Sequence, residues 1–136
     1  MTFTLLLDLD DTLLDTHMDA FIPAYFQALS GALADRVAPQ AMLSALMGGT
    51  KAMLANQDPG LLLRQVFDAY FFTKLGLDRS QLQPDIDRFY DEKFPSLGSL
   101  TKQVPEAIRL VDWAFAHGCR VAIATNPLFP LKAIQH

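Results

Sequence analysis

The stretch Thr4-Leu5-Leu6-Leu7-Asp8-Leu9-Asp10-Asp11-Thr12-Leu13 decides the reading of the fold. Residues Phe3 to Leu9 form a short apolar run that ends in acids, the pattern of a strand buried on both faces in a parallel sheet. At strand spacing Asp8 and Asp10 point to the same side. Like charges so close repel, and the site calls for a cation or a shared proton. Mg²⁺ meets that need, because it takes hard oxygen ligands and commonly bridges carboxylates to phosphate oxygens. One acid, ionised beside the metal, can then attack, while the other carries a proton for an entering or leaving oxygen. A solvated acidic turn after a strand is the plainer alternative.

Beyond this stretch the periodicity becomes helical, from about Thr16 to Leu97. Met18, Phe21, Ile22, Tyr25 and Leu29 share a stripe, although Pro23 suggests that the regular helix begins there. A second helix runs from Pro39 to about Ala55, with Gly48-Gly49 as its expected break. A third spans Gly60 to Leu75, closed by Gly76, and a fourth runs from Gln81 to Phe94. The pattern then returns to α/β. Val104 to His117 is an amphipathic helix ended by Gly118, Arg120 to Thr125 is a second short buried strand, and Pro127 to His136 starts another helix. The fold class is therefore α/β: two parallel strands bracketing an inserted all-helical domain. The core comprises residues 1–15 and 98–136, and the insertion residues 16–97. Both strands end in polar side chains, at the edge where open α/β sheets place their active sites.

Composition narrows the function classes. The chain has 136 residues, 51% apolar and 19% charged, with a net charge of -4. That is a folded chain with no basic footprint for nucleic acid. Lone Cys119 cannot close an internal disulfide and suits a reducing compartment. No run approaches the ~18 apolar residues of a membrane span, and no basic segment precedes the opening strand. The expectation is a soluble, cytoplasmic protein with neither membrane nor nucleic-acid partner.

Asp8-Leu9-Asp10-Asp11-Thr12-Leu13 is similar to the first signature of the haloacid dehalogenase-like (HAD) superfamily, an apolar strand followed by Asp-x-Asp-x-Thr-Leu/Val. Ile123-Ala124-Thr125-Asn126 resembles the second, an apolar strand ending in Thr or Ser. A helical insertion of the size of that family's C1-type cap lies between them, and the resemblance implies a partial Rossmann-like HAD core around it. The resemblance implies a Mg²⁺-dependent phosphatase acting on a small phosphorylated metabolite: a sugar phosphate, a nucleotide or a phosphoglycolate-like acid. Asp8 would attack phosphorus and form an aspartyl-phosphate, with its other oxygen on the metal. Asp10 would protonate the leaving oxygen and later deprotonate water, its main-chain carbonyl binding the metal. Thr125 and the amides of Leu9 and Asn126 would hold phosphoryl oxygens, and Thr12 would orient the loop. An acid at Asp10 favours phosphoryl transfer over dehalogenation, where halide leaves unprotonated. Asp11 stands where the family often has Gly, as a turn residue.

Within the insertion, Lys51 in Met47-Gly48-Gly49-Thr50-Lys51 is a candidate cation for substrate, and otherwise a solvated lysine in a turn. His17 either lines the mouth of the site or is a surface residue at a helix start. Phe67, Tyr70, Phe71 and Phe72 fit a helical core better than a ligand box. The family's later lysine and second acidic cluster have no counterpart here. Lys132 falls too soon after Thr125 and reads as a surface residue. The expectation is a truncated chain, inactive or nearly so alone, with an open sheet edge through which it self-associates. Two other readings remain: a HAD-like binding module without the chemistry, and a receiver-like phospho-acceptor domain, which would need five βα units in this length.

Overall fold

The computed structural model describes residues 2–135. The chain forms two compact units, Met1–Ile22 with Leu97–Asn126, and Pro23–Ser96 with Pro127–His136.

The first unit is mixed α/β. Strand β1 (Thr4–Leu7) pairs in parallel with β4 (Arg120–Ile123), in a register that sets Thr4 against Arg120 and Leu7 against Ile123. Two short strands that the sequence reading missed, β2 (Leu14–Thr16) and β3 (Thr101–Gln103), form a separate antiparallel pair. Each has only three residues, too few for any alternation to register. Helix α5 (Pro105–Ala116) starts with Pro at its first turn, where a missing N–H costs nothing. It ends at Gly118, whose φ of 68° lies in the left-handed region; beyond it, the Cys119 amide returns to Ala114 O at 2.9 Å. α5 packs against β4, and its buried residues are Ala107 and Ala114.

Burial on both strand faces is not what this unit shows. Leu7 is buried, but Leu6 is 65% and Ile123 54% exposed. The parallel sheet has only two strands among the described residues, so each strand keeps one unpaired edge and α5 is too narrow to cover both faces. Ile108 and Phe115 on one flank of α5, and Leu110 and Trp113 on the other, are exposed as well.

Helix α1 (Met18–Ala32) leads into the second unit, and its helical assignment runs on through Pro23. A proline in a helix forfeits one i→i−4 bond, and the burial of Phe21, Tyr25 and Leu29 on one stripe offsets that loss. Helices α2 (Pro39–Ala55), α3 (Leu63–Leu75), α4 (Arg79–Glu92) and α6 (Leu131–Gln135) complete the unit, with a 3-10 helix from Phe94 to Leu100 carrying the chain out of it. Gly76 closes α3 at φ 64°, and Arg79 bridges α4 to Asp68 of α3 at 3.3 Å.

The expected break at Gly48-Gly49 is absent, and α2 is one continuous helix. The glycines serve close packing instead. A Cβ on Gly49 would lie 2.7 Å from the Phe67 ring, and one on Gly48 would overlap Tyr70. Phe71 and Phe72 are buried, while Tyr70 is 39% exposed, so the aromatic run of α3 is chiefly core. A second aromatic group surrounds Tyr25, whose ring meets Phe89, Phe94 and Phe129 edge-on. No helix among the described residues is long and apolar enough to cross a membrane.

Candidate active site

The parallel pairing sets the geometry of the site. Ala124 donates its amide to Leu7 O at 2.7 Å, so both strands end together and the chain leaves one edge toward Asp8 and Thr125. Neighbouring strands lie about 4.8 Å apart, which puts these two strand ends side by side. Thr125 is half-buried and Asn126 exposed.

Past Asp8 the chain turns back on itself. Leu9 O accepts the amides of Leu13 and Leu14, each at 2.9 Å, and Asp11 N donates to Leu14 O at 2.8 Å. Asp10 forms an isolated bridge with Leu14. The turn requires a left-handed residue, and Asp11 takes that place at φ 58°, a conformation that short polar side chains tolerate better than branched ones. Leu14 is therefore part of the loop's framework, although no sequence signal distinguishes it from any other apolar residue.

Asp8 is exposed and one of its carboxylate oxygens accepts the Leu9 amide at 2.8 Å. Asp10 is half-buried. Its burial, and then the charges of Asp8 and Asp11, raise its carboxyl from the ordinary aspartate value. The two acids of the motif thus differ in surroundings, one open to solvent and the other drawn toward its protonated form.

Asp8, Leu9, Asp10 and Thr12 sit in one loop, with Thr125 and Asn126 at the neighbouring strand end. His17 is exposed just before α1, where its carbonyl accepts the amides of Ala20 and Phe21 at 2.9 Å. Lys51 is exposed on α2 in the second unit. Lys132 belongs to that unit too, and its ammonium spans both carboxylate oxygens of Asp91, at 2.8 and 2.9 Å.

Among the described residues no three His, Cys, Asp or Glu side chains are grouped to hold a metal. Two carboxylates with a main-chain carbonyl are nonetheless hard oxygen donors of the kind Mg²⁺ accepts, since it takes one or two carboxylates and fills its octahedron with water and phosphate oxygens. The charges of Asp8 and Asp11 add to burial in raising the proton affinity of Asp10, and a cation would relieve that repulsion.

No protein-family model matches the chain, and no curated protein matches it significantly.

Proposed function

We propose that the chain belongs to a phosphoric monoester hydrolase that works through an aspartyl-phosphate on Asp8, with Mg²⁺ as cofactor and a small phosphorylated metabolite as substrate. The observation that carries this reading is the common edge of β1 and β4, where the Asp8 loop and Thr125 leave the sheet as neighbours. The likeness of both strand ends to the two HAD signatures supplies the chemistry.

Asp8, exposed and at the strand end, is the nucleophile. Asp10, whose proton affinity is raised by burial and by its acidic neighbours, is the acid and base: it donates a proton to the leaving oxygen and takes one back from the water that hydrolyses the intermediate. The Thr125 hydroxyl and the amides of Leu9 and Asn126 stabilise charge on the transferred group. The Leu9 amide is already bonded to Asp8, so it must exchange that carboxylate oxygen for a phosphoryl oxygen as the substrate seats. Mg²⁺, held by the Asp8 carboxylate and the Asp10 carbonyl, would neutralise phosphoryl charge when bound. Cys119 as a lone thiol and the acidic balance suit a cytoplasmic setting.

This chain lacks counterparts of the family lysine and second acidic cluster, so slow or absent turnover is expected of it alone. The test is therefore a single-turnover one: acid-quenched labelling with acetyl phosphate and Mg²⁺, with the adduct mapped by mass spectrometry. The reading expects label on Asp8, lost in Asp8→Asn. Label on another residue, or equal labelling of Asp8→Asn, would sink it.

A further inference from the structure

Helix α2 has two apolar faces. One is buried, through Met42, Ala45, Leu46, Gly49 and Met53. On another, Leu43, Met47 and Leu54 stand 38%, 57% and 63% exposed, with half-buried Thr50 among them. These four positions follow one another at steps of four, three and four residues. That is the a/d spacing of a coiled-coil seam, in which apolar positions recur every 3.5 residues on average. At ~100° per residue they form one narrow stripe.

The stripe also reads the same from either end. Turning α2 end over end exchanges Leu43 with Leu54 and Met47 with Thr50. A two-fold axis beside the middle of the helix would then stack Leu43 of each copy on Leu54 of the other, and Met47 on Thr50. This is the a-against-d layering of an antiparallel pair, and it closes on itself as an isologous interface.

Charge agrees with this arrangement. α2 contains no acidic residue and only one cation, Lys51, which flanks the stripe. The same two-fold faces Lys51 of one copy toward Ser44 of the other, so no like charges meet. In a chain of net charge -4, α2 brings no negative charge of its own to repel a second copy.

We propose that the outer stripe of α2 is a homodimer interface, in which two copies of this chain pair α2 against α2 antiparallel about a two-fold axis. The inference does not depend on the phosphatase reading. A seam from Leu43 to Leu54, about 17 Å long, buries less than the ~1,200 Å² of a standard interface. The dimer is accordingly weak and concentration-dependent.

The test is sedimentation velocity on the chain from about 10 μM to about 1 mM, the range in which so small an interface dissociates. The expected result is a monomer–dimer equilibrium that Met47→Glu weakens at least tenfold while leaving circular dichroism and Tm unchanged, since Met47 lies outside the core. In a Cys119→Ser background, Leu43→Cys mixed with Leu54→Cys should cross-link under mild oxidation, and neither should cross-link alone. A monomer throughout the range would overturn the proposal. So would Met47→Glu associating like the unaltered chain, which would move the contact to another surface such as the sheet edges. Ready cross-linking of Leu43→Cys with itself would overturn the antiparallel geometry.

Discussion

The hydroxyls of Tyr25 and Tyr90 lie 2.8 Å apart inside the second unit, both side chains buried and each the other's hydrogen-bond partner. One hydroxyl must donate and the other accept. Burial pushes Tyr25 up to about 12, and Tyr90 is raised as well, first by burial and then by the neighbouring hydroxyl. Removing either oxygen strands the other, at a cost of roughly 1–3 kcal/mol. Tyr25→Phe and Tyr90→Phe should each destabilise by that order in urea unfolding. The double substitution should cost clearly less than the sum of the two, and an additive double would refute the pairing.

The same pair predicts an alkaline limit. Unfolded tyrosines ionise near 10, whereas the folded pair stays neutral to higher pH. The unfolded state therefore loses protons first, and stability present below pH 10 is lost as pH rises toward about 12. Stability measured across this range should fall in the unaltered chain and fall less in the double phenylalanine variant.

The two glycines of α2 should respond differently to alanine. Alanine gains about 1 kcal/mol of helix propensity at either position. At Gly49 the new methyl meets the Phe67 ring, which is stacked on buried Phe71 at 5.0 Å and has little room to yield. Gly49→Ala should be destabilising by about 1–3 kcal/mol. At Gly48 the obstacle is the outer end of Tyr70, a half-exposed ring that can swing away. Gly48→Ala should be near neutral, and thermal melts of the two variants would show the order.

The acid loop is expected to be less stable for its chemistry. Asp10 has a raised proton affinity, so its folding contribution is full only below the ordinary aspartate range and is lost as pH rises through its folded value. At neutral pH, Asp10→Asn should stabilise by on the order of 0.5 kcal/mol. That gain should shrink as pH is lowered through the carboxylate range. Destabilisation by Asp10→Asn at neutral pH would contradict the assigned surroundings.

Asp11 offers a conformational test in the same loop. Its positive φ suits glycine better than any side chain. Asp11→Gly should match or exceed the parent stability, whereas Asp11→Val should lose about 1–2 kcal/mol.

Much of this architecture was legible in the residues. The apolar run before Asp8 and the run Arg120 to Thr125 indicate two strands, and the structure pairs them in parallel, the second ending two residues earlier at Ile123. Gly76 and Gly118 mark helix ends because only the left-handed region lets the chain turn there. Gly48-Gly49 misled because a glycine pair serves a turn or a close contact equally well, and only the position of Phe67 and Tyr70 on the facing helix decides. β2 and β3 escaped because pairing between three-residue strands is a long-range event without local periodicity. At the site, the order Asp8, Asp10, Thr12 was readable. The bond between Asp8 and the Leu9 amide and the role of Leu14 were not, because they depend on how the backbone closes.

The pairing of residue 4 with residue 120 also has a meaning in time. Contacts so remote in sequence form late, because loop closure must precede them, whereas helices that touch nearby neighbours form early. On a ribosome β1 emerges well before β4 and waits without its parallel partner until residues 120–123 follow. Refolding should accordingly show a fast helical phase and a slower one that assembles the carboxylate loop. During that interval the apolar strand is the part of the molecule most in need of a chaperone.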